Sequence, residues 1–317
     1  MFLGPESTMR PLSLFSVLAG LMWTPAAQAG DDPWVLSRGD VALYSGVSGT
    51  SWTTFSGAQG SLSGNDVAIS TRVLTHTAVF AGEVGVTQRS SVELRLAGGW
   101  SQVTYTGSKN CTGTTCDTEV GAMPVDARYR FRVLDEIMGS PVTLTVGPVV
   151  RIGAHTRGAR DQFTSMGDGQ NDVGAHLSVG RMAIVGPLLV VGYGAARYSH
   201  RVLQDPEADQ DVPRHELAGV AELTVQPRQK LQLGLVVDGL HRPDGRDWGE
   251  GSTTSEDRFA ALSMTSIKVG AKFGLVIKQG FRLHLSAMTT AYARNNPSDG
   301  WAAGFGLSWY RPAAQAL

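Results

Sequence analysis

The stretch Val125-Asp126-Ala127-Arg128-Tyr129-Arg130-Phe131-Arg132-Val133 decides the fold class of this chain. Its odd-numbered residues are apolar and its even-numbered residues are charged, so two different faces alternate with a period of two. Side chains alternate in this way across a β-strand but not along a helix, and the pattern therefore predicts a strand. In a sandwich its apolar face would meet a dry core. In a membrane barrel the apolar face would meet lipid while the charges face the lumen.

The same alternation recurs along the chain, in segments of about 9–11 residues that suit tilted, membrane-spanning strands. The connections between these segments have two sizes, and short and long connections alternate strictly. Short connections contain Gly, Pro and Ser, which tight turns favour, whereas the long ones are rich in Gly, Asp, Ser and Thr. Transmembrane barrels have short periplasmic turns and longer outer loops, so the loop lengths favour a barrel over a sandwich.

We therefore predict an all-β protein, a transmembrane antiparallel up-and-down β-barrel of about twelve strands with both termini in the periplasm. The second and tenth expected strands are too long for one crossing. They either extend beyond the membrane or contain an extra hairpin, which would make fourteen strands, and ten is the other count that the pattern allows. The expected strands cover residues 39–49, 67–86, 92–105, 124–135, 142–155, 172–183, 188–199, 214–226, 230–241, 259–277, 281–294 and 300–310.

The first 29 residues have the layout of a secretory signal peptide. A positive charge precedes an apolar stretch that is too short to span a bilayer, and Ala27-Gln28-Ala29 is a cleavage motif. We expect cleavage after this motif, leaving residues 30–317 as the barrel domain with a short tail over 311–317. Either Met1 or Met9 could be the initiator. An exported barrel is expected in the bacterial outer membrane, in contact with its lipids and with the barrel-assembly machinery.

Composition excludes several other classes of protein. No apolar run of the mature chain approaches the roughly 18 residues that a spanning helix needs. Charged residues make up 17% of the chain, below the roughly 25% of soluble domains. The net charge of −1 provides no basic surface for nucleic acid.

Cys111 and Cys116 are the only cysteines, and in an exported protein they predict a disulfide that closes a short loop. A metal site would need more ligands than this segment offers.

Four parts of the sequence carry a family resemblance. They are Trp34–Asp40, the pair Val84–Thr87 and Val92–Leu96, the segment Ser165–Asp172, and Gly304–Tyr310. Together they resemble the meta-pathway phenol-degradation family of outer-membrane proteins, which are transporter-like barrels. The resemblance implies an outer-membrane barrel that passes small, often apolar, compounds, and none of the four parts is a catalytic signature. Such barrels usually end on an aromatic residue that the assembly machinery reads, whereas here Arg311–Leu317 follow the last aromatic residue.

The polar faces of the expected strands would collect charges of both signs inside the barrel. One ion facing lipid would cost about 2–4 kcal/mol at the bilayer midplane, so these side chains are expected to point inward and to pair. They would act as an electrostatic filter for solutes, as a salt-bridge network that braces the lumen, or as both. The arginines of the 125–133 strand are expected to pair with acidic residues on other strands. The predicted lumen-lining residues are Glu83, Glu93, Arg95, Asp126, Arg128, Arg130, Arg132, Arg151, Arg197, Glu216, Glu222, Asp238, Lys268, Lys272 and Arg282.

The resulting functional prediction is a channel or transporter-like barrel for passive passage of small molecules, apolar or aromatic ones included, without a cofactor. One alternative is a barrel enzyme that hydrolyses lipids or peptides, because four histidines lie near predicted outer strand ends beside Asp-rich loops. No motif marks a nucleophile, so we expect no catalytic residue. The other alternative is an adhesin or receptor, although the loops are short for that role. The four histidines are His155, His200, His215 and His241.

Two acidic segments, 167–172 and 205–211, could offer oxygen ligands to calcium. Neither segment has the ligand spacing of an EF-hand. We therefore expect solvated acidic loops and no metal site.

Overall fold

The computed structural model describes residues 33–56, 60–62, 67–105, 115–122, 124–136, 141–153, 171–202, 213–228, 230–245, 247, 263–278 and 280–313. The expected signal peptide lies outside the described residues. Cys111, one of the two cysteines of the expected disulfide, lies outside them as well. Twelve long strands form one sheet that closes on itself: β1 Val41–Ser56, β2 Val67–Gly85, β3 Ser90–Tyr105, β4 in two segments (Thr115–Ala122 and Val125–Leu134), β5 Val142–Ile152, β6 Asn171–Val185, β7 Leu188–Val202, β8 His215–Arg228, β9 Leu231–Arg242, β10 Met264–Lys278, β11 Phe281–Arg294 and β12 Trp301–Arg311. Two short segments, Ser61–Leu62 and Asn296–Pro297, pair with β11 and β1 respectively. No helix among the described residues is long and apolar enough to cross a membrane.

Every strand pairs antiparallel with its neighbours in sequence, and β12 pairs with β1 to close the barrel. The closing register runs from Val41 opposite Arg311 to Ser51 opposite Trp301. Both segments of β4 pair with β3, one above the other. The expected all-β, antiparallel, up-and-down barrel of twelve strands is therefore confirmed.

Two features of the strands differ from the expectation. The second strand is a single 19-residue strand without an internal hairpin, so the fourteen-strand alternative is wrong there. Several segments expected to be loops are strands instead, including Ser51–Ser56 at the end of β1 and Thr115–Ala122 in β4. These segments are rich in Ser, Thr and Gly, a composition typical of loops. A neighbouring strand nevertheless supplies backbone partners for them, and pairing outweighs such weak local preferences.

The connections sort to the two ends of the barrel by length. The β6–β7 turn contains only Gly186 and Pro187 between the strands, and Gly186 adopts a φ of 59°. A left-handed backbone of this kind suits glycine, which has no Cβ to clash. Val41 and Arg311 pair, so β1 starts and β12 ends at the end of the barrel that carries the short turns.

Side chains are distributed in the reverse of a soluble protein. Large apolar side chains lie on the outer surface, where Leu235 is 65% exposed and Leu94 and Phe305 are nearly half exposed. Charged side chains lie inside, where Glu83 and Arg130 are fully buried. Soluble proteins rarely expose contiguous apolar surface on this scale. Transmembrane barrels do, because their outer band faces lipid.

Residues 33–40 fold back into the barrel from the end that carries the short turns. The side chains of Trp34, Val35 and Leu36 are buried. The Trp34 ring meets Tyr193 of β7 edge-on, with 6.0 Å between ring centroids. The carbonyl of Pro33 accepts a hydrogen bond from the Thr145 hydroxyl of β5. Contacts to inward-facing groups of separate strands place this segment inside the barrel.

The end of the same segment is held to the last strand. Leu36 packs against Tyr44 and Ala81. The Asp40 carboxylate accepts hydrogen bonds from the Tyr310 hydroxyl at 2.9 Å and from the Ala313 amide at 2.7 Å. These contacts fix the point at which the chain enters β1.

Candidate functional site

The inner wall carries a ladder of charges whose sign alternates from strand to strand. The sheet register aligns Arg95 of β3 with Asp126 of β4 and aligns Asp126 with Arg151 of β5. It then aligns Arg151 with Asp172 of β6, and Asp172 with Arg201 of β7. Opposite charges directly across a strand pair stabilise it. Five consecutive strands therefore share one continuous ionic row.

Glu216 of β8 extends this ladder and receives three arginines. Nη2 of Arg197 lies 2.9 Å from the carboxylate, and Nη2 of Arg242 lies 2.8 Å from it. Nη1 of Arg151 lies 3.5 Å away. Arg151 also donates from Nε to Asp126 at 2.8 Å. This ladder, from Arg95 on β3 to Arg242 on β9, extends over seven of the twelve strands.

The arginines of the opening stretch have three different partners. Nη1 of Arg130 lies 2.9 Å from both carboxylate oxygens of Glu83, and Ser91 also donates to this carboxylate. Nη1 of Arg128 lies 4.0 Å from Glu93, and Nη2 of Arg95 lies 3.9 Å from the same carboxylate.

The third arginine of that stretch, Arg132, is more exposed than the other two. Its Nε lies 3.1 Å from Asp135, three residues further along the chain. Its Nη2 donates to the Gln88 carbonyl at 2.7 Å. Arg132 is therefore held at the rim of the barrel by local groups and does not reach an acidic residue across the lumen.

A second polar centre lies on β7–β10. The Glu222 carboxylate accepts hydrogen bonds from the Tyr193 hydroxyl at 3.1 Å and from the Thr224 hydroxyl at 2.8 Å. Lys272 of β10 forms a salt bridge with the same carboxylate. All four groups are inward and buried. Further along the wall, Asp238 lies opposite Lys268 in the register.

Arg282 and His284 occupy the inner face of β11 near the short turn that precedes it. Both side chains are buried. Nε2 of His284 lies 2.8 Å from the Ser308 hydroxyl of β12. No described residue forms a salt bridge or a hydrogen bond with the Arg282 guanidinium, and its buried Nη2 has no partner among them.

An apolar cluster lies beside the second polar centre, where Val236 is opposite Glu222 and Val191 is opposite Thr224 in the register. Trp34, Tyr193 and three valines form a buried cluster, against which Met182, Leu189, Ala195 and Met288 pack. The valines are Val191, Val220 and Val236. The interior is therefore amphipathic and not uniformly charged. The sequence did not predict this cluster, because apolar residues scattered over otherwise polar strand faces form no regular pattern.

Three members of the ladder were not predicted from the sequence. Asp172, Arg201 and Arg242 stood at the edges of expected loops. Each lies on the inner face of its strand, at an even number of residues from another inward side chain of that strand. The continued alternation was the available signal, and the loop-like composition around these residues concealed it.

Hydrogen bonds tie loop carboxylates to the rim opposite the short turns. Partial burial raises the pKa of Asp299, but donors from the side chains and backbone of Thr53 and Thr54 outweigh burial and hold this pKa below its usual value. Asp247 shows the same balance. Burial raises its pKa, but hydrogen bonds from Asn295 and Ser263 and the charge of Arg294 lower it overall. The described parts of these loops are therefore anchored to the wall.

The described histidines near that rim lie on the outer surface. The rings of His200 and His215 are 5.1 Å apart. Nδ1 of His215 lies 2.7 Å from the Tyr198 hydroxyl, and its Nε2 lies 3.6 Å from Asp244. His241 contacts a threonine hydroxyl at 3.0 Å. His155 lies outside the described residues.

Within the described parts of the chain, no three metal-ligating side chains lie close enough to hold a metal ion. The segment 205–211 and most of 167–172 lie outside those parts. The last residue of the second segment, Asp172, belongs to the charge ladder.

Solved structures share this architecture. An outer membrane channel from Pseudomonas putida F1 has a TM-score of 0.61 to this chain at 10% sequence identity, over 90% of this chain and 100% of the channel. The NanC porin has a TM-score of 0.49 at 7% identity, over 84% of this chain and 98% of the porin. The CymD monoaromatic hydrocarbon channel has a TM-score of 0.41 at 8% identity, over 87% of this chain and 90% of that channel. The sequence matches no protein-family model and no curated protein. The likeness to the Pseudomonas putida F1 channel supports the barrel fold.

Proposed function

We propose that this chain is a channel of the bacterial outer membrane through which small molecules, apolar or aromatic ones included, pass passively. The inside-out distribution of side chains carries this proposal. An outer surface on which Leu235 is 65% exposed is favourable against lipid and costly against water. A closed barrel also satisfies its backbone hydrogen bonds internally, which lipid requires. The fold of the Pseudomonas putida F1 channel and the resemblance to the meta-pathway phenol-degradation family support the same function.

The charge ladder acts in this proposal mainly as a brace. Each carboxylate of the ladder lies beside arginines of neighbouring strands, and Glu216 alone contacts three of them. Charges neutralised in this way hold strands in register and present little net field to a passing solute. Selection then depends on the groups outside the ladder, which are the apolar surface around Tyr193 and the polar groups of β10 and β11.

The path for a solute runs past residues 33–40, which narrow the interior. Trp34 lies against Tyr193 and packs with the buried valines, so this segment offers aromatic and aliphatic groups to a solute. Apolar solutes lose little on contact with such a lining, whereas strongly hydrated solutes must give up water. We therefore expect selectivity for small molecules with an apolar or aromatic body.

We propose no catalytic role for the rim histidines. The described ones point outward toward the lipid headgroup level, where His215 already contacts Tyr198 and Asp244. Passage requires no enzyme chemistry, no metal and no cofactor.

Conductance of the folded barrel in planar lipid bilayers, together with solute flux into proteoliposomes, tests the channel. Folding is checked by the shift in gel mobility that a barrel shows on heating. We expect discrete conductance steps and faster entry of small aromatic solutes than into protein-free liposomes. A folded barrel that shows neither conductance nor solute flux would overturn the proposal.

A further inference from the structure

Arg282 differs from the other arginines that the structure places in the barrel interior. It is 4% exposed, yet no described carboxylate lies within salt-bridge distance and no described group accepts a hydrogen bond from it. The other inward arginines have partners, as the contacts of Arg130 and Arg151 show. A guanidinium carries five N–H donors, and a buried donor without an acceptor is costly.

Two inward or rim carboxylates of this half of the barrel have partners other than Arg282. Glu222 forms its salt bridge with Lys272. At the same end of the barrel, Asp40 accepts hydrogen bonds from Tyr310 and Ala313. One positive charge, that of Arg282, is therefore left uncompensated by the described residues of this part of the wall.

The neighbours of Arg282 are polar groups that can bind an anion. Ser308 lies directly across the strand pair from Arg282, and His284 follows two residues later on the same inner face. The Ser308 hydroxyl and Nε2 of His284 are 2.8 Å apart. A hydroxyl and an imidazole can each offer a donor beside the guanidinium. These groups form one small polar surface on β11 and β12.

We propose that Arg282, Ser308 and His284 form a subsite that binds the carboxylate of a small monoanionic solute. A guanidinium fork matches a planar carboxylate with two parallel hydrogen bonds. A single uncompensated charge suits a monoanion better than a phosphate dianion. The subsite lies one residue into β11, beside a short turn, so it would hold a solute at the periplasmic end of the path. This assignment rests on the proposed channel function and names a solute class for it.

Binding of benzoate to the folded, detergent-solubilised chain tests the subsite by titration calorimetry, with benzamide as the neutral isostere and phenyl phosphate as the competing anion. We expect benzoate to bind about tenfold more tightly than benzamide, because hydrogen bonds to a charged group contribute about that much or more. Arg282→Gln should weaken benzoate binding by about tenfold or more and leave benzamide unchanged. Arg181→Gln is the matched control, because Arg181 lies on the exposed outer face of β6.

Several results would overturn the assignment. Equal benzoate affinity in Arg282→Gln and the parent chain would exclude Arg282, and equal affinity for benzoate and benzamide would exclude an anion site. Tighter binding of phenyl phosphate than of benzoate would show that the subsite prefers phosphates to carboxylates. If Arg282→Gln does not fold, Arg282→Lys keeps the charge and should weaken benzoate binding, and an unchanged affinity would exclude the guanidinium fork. Binding in micelles requires no passage, so this result and the conductance result can fail separately.

Discussion

Two arginines on one face of β4 allow a sharp test of the barrel interior. Arg130 and Arg132 are two residues apart and differ in burial. Arg130 and its partner Glu83 are both 0% exposed, whereas Arg132 and its partner Asp135 are 28% and 54% exposed. Removing one partner of a buried ion pair costs about 3–5 kcal/mol, because the remaining charge stays buried without compensation. An exposed pair contributes about 0–1 kcal/mol.

We therefore expect Arg130→Met to lower the free energy of unfolding by about 3–5 kcal/mol and Arg132→Met by no more than about 1 kcal/mol. In the first variant Glu83 would lose both hydrogen bonds from the Arg130 guanidinium. The measurement is reversible urea unfolding of the barrel in lipid vesicles, followed by tryptophan fluorescence. The two variants make the same Arg→Met change on the same face of one strand, so a difference in their unfolding free energies reports the difference in burial.

The double variant Glu83→Gln with Arg130→Met completes the test. Removing both charges should restore part of the lost stability, because neither ion is then left alone. Equal losses for Arg130→Met and Arg132→Met would refute the reasoning, since burial would then make no difference. Additive losses in the double variant would show that Glu83 and Arg130 do not act as a pair.

Three further predictions follow from the lipid face, the inner segment and the rim. Leu235→Arg should destabilise the folded barrel in vesicles by about 2–4 kcal/mol if Leu235 lies near the midplane, and an unchanged unfolding midpoint would contradict a lipid-facing position. Trp34→Ala should increase single-channel conductance, whereas Trp301→Ala on the outer face should not, and equal conductance in both would remove Trp34 from the path. Because the pKa of Asp299 is lowered in the folded chain, its stabilising contribution is present above the unfolded pKa and is lost as the pH falls through the folded pKa. Asp299→Asn should therefore reduce the loss of stability on acidification, and an identical pH profile would contradict this.

Local pattern predicted the fold because strand periodicity is a local property. Within Val125–Val133 the alternation of apolar and charged residues already separated a lipid face from an inner face. The connections between the alternating segments gave the number of strands. The alternation of short and long connections indicated which loops share each end of the barrel. The prediction failed at Thr115–Ala122 and Ser51–Ser56, where pairing with a neighbouring strand, and not composition, extends the sheet.

The sequence by itself determined which side chains share a face, and only the tertiary structure decided which of them meet. Arg130 selects Glu83 at a separation of 47 residues, and Arg282 is left without a partner among the described residues, although both are arginines on polar faces. The partners depend on the register between strands, and the register depends on turn geometry and on closure of the whole barrel. Trp34 reaches Tyr193 only because residues 33–40 fold back into the closed barrel. Local periodicity contains no information on any of these distances.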